Sequence, residues 1–442
     1  MERISPRLQR SLAVWTNGHR VARWRIASSG SHSLTYERDG VDAAHGGPLS
    51  LSLPFSRAGR PLRGARVASF FDHLLPAGPA ARLRLQALFG VPSLDTFDLL
   101  SVLGRDCAGA VQLLSEDSAP GDVQRVDGEP LDDPALSRLL DALAAAPGTP
   151  AARDVRLPVV ALGGERAKTA LSWQHGQWCL PAAGTPTTHI VKLPLGAQPG
   201  GAAAFNTSLE NEWLCVRLLV AFGFDLPPTR VDTLGAHKVL VVGRSDRRRV
   251  DQGGWARLPF EDLCQATATP QHQTTEATGG PGLRRLLELL RGSDAAAQDR
   301  ERLLAATVVM WMLAVPDVGA KRFALRLLPA GHFVLAPLSG VMSAWPLLGR
   351  QPSVASLRRL PFGLSTDGVP RGHHEITRAA WQRAARRHAL GAGFDAVLEG
   401  LAAWAEPAIE RVSAELPDGF PTSVSGAVFE GVRRSARVLT AR

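Results

Sequence analysis

The chain has 442 residues, enough for two to three domains with sizeable cores, and its 45% hydrophobic and 21% charged content is ordinary for a soluble globular protein. Its net charge of +9 and isoelectric point near 10.3 permit contact with nucleic acid or an acidic partner, although an arginine-rich coding bias gives the same charge. Three features argue for a cytoplasmic protein without a membrane partner: the longest apolar run, Leu303–Pro316, is too short to span a bilayer, Met1-Glu2-Arg3-Ile4-Ser5-Pro6 lacks the apolar stretch of a secretory signal, and Cys107, Cys179, Cys215 and Cys264 are spaced as reduced, buried thiols rather than as a zinc site or disulfides.

The first 115 residues are strand-like at the start. Leu12-Ala13-Val14-Trp15 is a short apolar run, Leu34-Thr35-Tyr36 alternates weakly, and Leu49-Ser50-Leu51-Ser52-Leu53 alternates cleanly up to Pro54. Helices are expected at Phe70–Leu75 and Ala81–Phe89. Residues 116–150 are rich in Asp, Pro and Gly and carry one amphipathic helix near Leu136–Ala144, which places a domain boundary there. Residues 155–243 are read as strands with one helix, Leu209–Phe222, closed by Gly223. From Glu261 onward helices dominate, at Leu283–Arg291, Asp299–Ala314, Arg378–His388, Phe394–Glu410 and Val424–Arg437. The expected organisation is an N-terminal domain at 1–118, a linker with one helix at 119–154, a β-rich lobe at 155–260 and a helical lobe at 261–442.

Only four lysines, Lys168, Lys192, Lys238 and Lys321, stand among the fifty basic residues. A lysine ammonium is a compact point charge suited to reaching one phosphate oxygen, a place that arginine's planar fork does not fill. Three of the four lie in segments that match the needs of phosphoryl transfer: a loop over the phosphates, a lysine on them, and an acidic residue to orient a hydroxyl. Gly163-Gly164-Glu165-Arg166-Ala167-Lys168 is a glycine loop between strands. His189-Ile190-Val191-Lys192 is an apolar strand ending in a lysine, for which Glu210 or Glu212 is the candidate partner. Gly243-Arg244-Ser245-Asp246 is a candidate hinge for adenine, with Gly243, Ser245 and Asp246 the candidate contacts. Asp317-Val318-Gly319-Ala320-Lys321 follows a buried helix, with Asp317 the candidate base and Lys321 a phosphate contact. His373, His374 and Glu375 are read as surface residues, and Trp311, Trp345 and Trp404 as packing.

Further motifs carry a resemblance. They include Pro48-Leu49-Ser50-Leu51-Ser52-Leu53-Pro54, Phe70-Phe71-Asp72-His73-Leu74-Leu75-Pro76, Gly104-Arg105-Asp106-Cys107-Ala108-Gly109-Ala110-Val111, Pro186 to Pro194, Asn211-Glu212, Glu261-Asp262-Leu263-Cys264-Gln265 and Gly279-Gly280-Pro281-Gly282. In this order they resemble the HipA family, the toxin kinases of bacterial type II toxin–antitoxin pairs, over nearly the whole chain. The resemblance implies an α+β, two-lobed kinase-like fold with an added N-terminal α/β domain. It also implies ATP as cofactor and a helix-turn-helix, HipB-like antitoxin as partner, with DNA met through the antitoxin complex. The protein substrate is left open.

The chain departs from the family at the metal. The family's catalytic loop reads Asp-x-His-x-Lys-Asn, whereas here Gly319 stands at the histidine and Arg322 at the metal-binding asparagine. The family's metal-binding aspartate corresponds to Gly340, and a glycine-loop serine that is often phosphorylated corresponds to Ala161. Mg²⁺ takes oxygen ligands and Arg322 offers only donors, so Mg²⁺ binding is doubtful and transfer is expected to be impaired. The alternatives are a pseudokinase scaffold acting through antitoxin and DNA, and an active kinase in which Asp246 or Glu165 supplies a replacement carboxylate. Arg383, Arg386 and Arg387, on a basic helix with Arg378 and His388, are candidate DNA contacts.

Overall fold

A computed structural model describes residues 10–37, 46–56, 59–146, 149, 155–197, 205–250, 254–349, 352–366, 368–369, 371–390 and 393–441. The N-terminal hexapeptide and residues 150–154 of the expected linker lie outside them. The chain forms two compact units. The first comprises Met1–Leu193, Asp232–His272 and Arg326–His332, and the second Pro194–Val231, Gln273–Leu325 and Phe333–Arg442.

The first unit begins with a five-stranded sheet of β1 (Arg10–Thr16), β2 (His19–Ile26), β3 (His32–Tyr36), β4 (Leu62–Arg63) and β5 (Val111–Leu114), in the order β4-β3-β2-β1-β5. Every pairing is antiparallel. β1 and β2 meet at Asn17-Gly18, both in the left-handed region (φ 46° and 87°) that the tight hairpin turn demands. On β2 the arginines alternate with Ala22, Trp24 and Ile26, which are buried. The Trp24 ring stacks on Phe71, with centroids 4.0 Å apart. Phe71 lies on α1 (Ala65–Asp72), which is followed by α2 (Pro79–Phe89) and α3 (Thr96–Leu103).

The clean alternation of residues 49–54 does not make a strand. Ser50 and Leu53 form an isolated bridge around a turn. Side chains serve this backbone in place of a neighbouring strand. The Tyr36 hydroxyl accepts the Leu49 N–H at 3.0 Å and donates to the Leu53 carbonyl, and the Glu261 carboxyl accepts the Leu51 N–H at 2.9 Å.

The second sheet comprises β6 (Gly128–Pro130), β7 (Lys168–Gln174), β8 (Gln177–Pro181), β9 (His189–Lys192), β10 (Thr229–Leu234) and β11 (His237–Gly243), in the order β10-β11-β9-β7-β8-β6. Helix α4 (Asp133–Ala144) starts under an Asp132 cap and lays Leu136, Leu139, Leu140 and Leu143 against Leu171, Val191, Val239 and Val241. A ribbon of β12 (Arg247–Arg249) and β13 (Trp255–Arg257) completes these sheets.

A buried ionic cluster joins the three. Asp106 follows α3, Thr187 precedes β9, Arg244 and Asp246 follow β11, Arg247 opens β12, and Arg257 closes β13. Asp106 meets Arg247 at 2.8 Å, Arg257 at 3.0 Å and Arg244 at 3.1 Å, and accepts from the Thr187 hydroxyl at 2.7 Å. Asp246 meets Arg244 at 2.6 Å and accepts the Gly109 N–H at 2.7 Å. The carbonyls of Cys107, Gly109 and Gly184 take further guanidinium protons. Burial alone would raise both aspartates. The guanidinium charges outweigh it and hold Asp106 low and Asp246 well below the usual carboxylate range. Burial and the neighbouring Arg244 bring Arg247 down to about 10. Asp246 was a candidate ATP contact and a candidate replacement carboxylate. Its carboxylate instead serves this internal cluster.

The second unit is built on helices: α5 (Ser208–Ala221), α6 (Leu283–Leu289), α7 (Ala296–Met312), α8 (Arg378–Arg387), α9 (Gly393–Ala414) and α10 (Thr422–Thr440). Residues 303–312 of α7 are all buried, as the apolar run requires. His373 is not a surface residue. It stacks on Trp311, with centroids 5.2 Å apart, and burial lowers its imidazole to about 4. Trp404, read as packing, is half exposed and donates to the Ala221 carbonyl at 2.7 Å. All four cysteines are buried and unbridged. Among the described residues no helix is long and apolar enough to cross a membrane.

Two outcomes follow from the first unit. Asp106→Asn leaves buried guanidinium charge uncompensated and is expected to cost about 3–5 kcal/mol, read as a fall in the denaturation midpoint. Burial pushes the Glu261 carboxyl up to about 8, against an ordinary 4.5. Below 4.5 both folded and unfolded states hold the proton, so no penalty arises. Above it the unfolded chain releases the proton while the folded chain keeps it, and stability falls until the pH passes about 8. Glu261→Gln should flatten that decline in thermal melts from acidic to alkaline pH. Parallel profiles for parent and variant would contradict the assignment.

Candidate active site

The first unit holds one half of the expected residues. The antiparallel register sets Lys168 on β7 directly opposite Lys192 on β9, and Lys192 opposite Leu240 on β11. Directly opposite residues share a sheet face. Val191 and Val241 lie on the other face, which α4 covers. Two of the chain's four lysines are therefore side by side on the face away from α4. Like charges so placed repel. Lys168 Nζ donates to the Gly164 carbonyl at 2.8 Å. Gly164 sits at φ +87°, and a Cβ there would come within 2.9 Å of that Nζ, so the turn that seats the lysine requires glycine.

Gly163 and Gly164 lead directly into Glu165, whose Oε1 accepts the N–H groups of Ala77 and Gly78 at 2.9 Å each. Those groups lie just before α2, so this carboxylate holds the entry to that helix. Ala161 is fully buried in the core of the first sheet. At the candidate hinge, Gly243 pairs with His189, and the Arg244 N–H donates to the Thr188 carbonyl at 3.0 Å. Ser245 is partly exposed between the buried Arg244 and Asp246. One His/Asp/Cys group among the described residues comes within ligand distance: His73, Asp262 and Cys264. Asp262 Oδ1 caps the turn at Leu263–Ala266, and His73 Nε2 lies 2.8 Å from the Thr269 carbonyl, so these atoms already have structural roles.

The second unit holds the other half. Glu210 and Glu212 are both buried on α5. Two residues apart on a helix, they point about 200° away from one another, so they serve different surroundings. A Cβ at Gly340 would lie 2.7 Å from Glu212 Oε1. The carboxylate of Glu212 thus occupies the start of the space that an aspartate at 340 needs. Asn211, between the two glutamates, exchanges hydrogen bonds of 2.8 Å with both the N–H and the carbonyl of Ser343. Asp317, more than half exposed, is ion-paired with Arg322 five residues later. Lys321 and Arg322 share the single turn Ala320–Arg322. A Cβ at Gly319 would meet the Thr274 carbonyl at 2.5 Å, so backbone fills the place that a histidine needs. On α8, Arg383, Arg386 and Arg387 are exposed, while Arg378 bonds Glu399 at 2.6 Å and His388 is buried.

The sheet-borne lysine face and the acidic loop after a buried helix belong to a two-domain protein of kinase-like fold. Two family models match the chain: the HipA N-terminal domain over residues 12–114 and the HipA-like C-terminal domain over residues 160–417. The chain belongs to the HipA family. It is similar to Y4mE of Sinorhizobium fredii, which bears a provisional kinase name, at 31% identity over 415 residues and 92% of each chain. It shares its fold with Shewanella oneidensis HipA, solved in complex with HipB and operator DNA, at TM-score 0.76 and 17% identity over 96% of both chains.

The packing at Gly340 makes a coupling testable. Gly340→Asp should destabilise the protein by about 1–3 kcal/mol, from crowding and from two adjacent carboxylates. In a Glu212→Ala background the same substitution should cost clearly less, measured as a double-mutant cycle in denaturant. Strict additivity would show that the two positions do not touch.

Proposed function

We propose that this chain is the HipA-like toxin component of a type II toxin–antitoxin pair, built on a serine/threonine-kinase fold and impaired in phosphoryl transfer. The observation that carries the reading is the Asp317–Arg322 ion pair. The pair engages the carboxylate that would otherwise orient the attacking hydroxyl. Mg²⁺ needs oxygen ligands in a near-octahedral array, whereas Arg322 brings positive charge and N–H donors, and Gly340 brings no side chain. These positions do not fit the ion. Every 1.4 kcal/mol of lost transition-state stabilisation costs about tenfold in rate, so a deficit of several kcal/mol removes most turnover.

ATP binding is part of the proposal, through Lys168 and Lys192, the Gly163-Gly164 loop and the backbone of Gly243 and Ser245. The Shewanella complex supports an antitoxin of the HipB kind as partner and operator DNA met through it. Without efficient transfer, such a chain acts as a pseudokinase scaffold. One observation favours an active kinase instead: Glu212 offers a carboxylate oxygen beside Gly340.

Calorimetric titration of ATP with and without Mg²⁺ separates the two. The expected result is binding that is indifferent to Mg²⁺ and weakened by Lys192→Ala, with no transfer of γ-phosphate to protein. Binding strengthened by Mg²⁺ and lost in Glu212→Gln, with transfer abolished by Asp317→Ala, would establish the active kinase.

A further inference from the structure

The second unit carries a cleft that the proposed chemistry does not use. It is lined by Arg284 and Arg285 of α6, by Arg387 and His388 at the end of α8, and by Ser365 and Thr366. Arg284, Arg285 and Arg387 are exposed. Arg300 on α7 reaches the same neighbourhood and donates to the His388 carbonyl. Burial lowers the His388 imidazole, and the charges of Arg387, Arg300 and Arg284 press it further down against Glu288. The local field is therefore positive. Two acidic groups of the described residues lie nearby. Glu276, which also lines the cleft, accepts the Ser365 N–H at 2.7 Å. Glu288 meets Arg284 at 3.5 Å, an exposed contact of little energetic weight.

Thr366 supplies an independent observation. It is 3% exposed, and its hydroxyl has no hydrogen-bond partner among the described residues. Leaving such a group unpaired costs about 1–3 kcal/mol. Arginine's planar fork matches the oxygens of a tetrahedral anion.

We infer that this cleft binds a phosphate group, gathered by Arg284, Arg285 and Arg387 and completed by the Thr366 hydroxyl. The phosphate is either a free anion or one phosphodiester of a nucleic-acid backbone, since both present the same oxygens. The site is independent of whether the chain transfers phosphate.

The test uses the full chain with two probes: inorganic phosphate by calorimetry, and a mixed-sequence DNA duplex by fluorescence anisotropy over a salt series. Phosphate should bind the parent and lose about tenfold in affinity (about 1.4 kcal/mol) in the Arg284→Ala, Arg285→Ala double variant. Thr366→Val keeps the shape and removes the unpaired hydroxyl. It should weaken phosphate severalfold while leaving the thermal midpoint unchanged or higher, which a purely structural role would not produce. Phosphate that displaces the duplex, with a salt slope smaller by about 1 for each lost phosphate contact in the double variant, identifies a nucleic-acid backbone. Phosphate binding with an indifferent duplex identifies a free anion. No phosphate binding by the parent, or equal binding by parent and Thr366→Val, overturns the inference even if the double variant fails to fold.

Discussion

The first unit depends on the charge cluster around Asp106. Two sheets and a ribbon from distant parts of the chain converge there, and three buried arginines share two buried aspartates. Desolvating five charges is costly, and the cluster persists because carbonyls and a hydroxyl complete the coordination that the aspartates begin. It also explains why Gly104–Val111 reads as a compact motif. Asp106 supplies the charge, while the carbonyls of Cys107 and Gly109 supply acceptors.

With that scaffold in place, β7 and β9 hold a fixed register, and the register brings Lys168 and Lys192 together. The second unit has been filled differently. Each position that departs from the family loop has a neighbour settled against it: the Thr274 carbonyl at Gly319, Glu212 at Gly340, and Asp317 at Arg322. Unrelieved decay leaves voids and unpaired charge. Here a neighbour lies against each glycine and the new charge is paired.

Much of the architecture was legible along the sequence. The helices of the second unit showed helical periodicity, and their observed spans differ from it mainly at the ends. Strand β2 escaped notice because His19-Arg20-Val21-Ala22-Arg23-Trp24-Arg25-Ile26 is dominated by arginine, although Asn17-Gly18 before it was a usable hairpin signal. Residues 49–54 misled because alternation alone does not separate a strand from a turn: the turn fed by Tyr36 and Glu261 buries Leu49, Ser50 and Leu53 and leaves Leu51 partly exposed. His373 looked exposed because adjacent histidines are polar, yet its ring lies between two tryptophans. At the site, the residue types of the glycine loop, β9 and the acidic loop were readable. The Lys168–Lys192 adjacency and the internal role of Asp246 were not, because both arise from pairings between segments far apart in the chain.

The paired hydrogen bonds between Asn211 and Ser343 act as one rung of a ladder between a helix and the loop that carries Gly340. Swinging that loop outward would strand a buried amide and a buried backbone group, at about 1–3 kcal/mol for each. Many kinases are turned on and off by the mobility of the corresponding kind of segment. Here the segment is latched. Any outward movement of the loop must first break this rung.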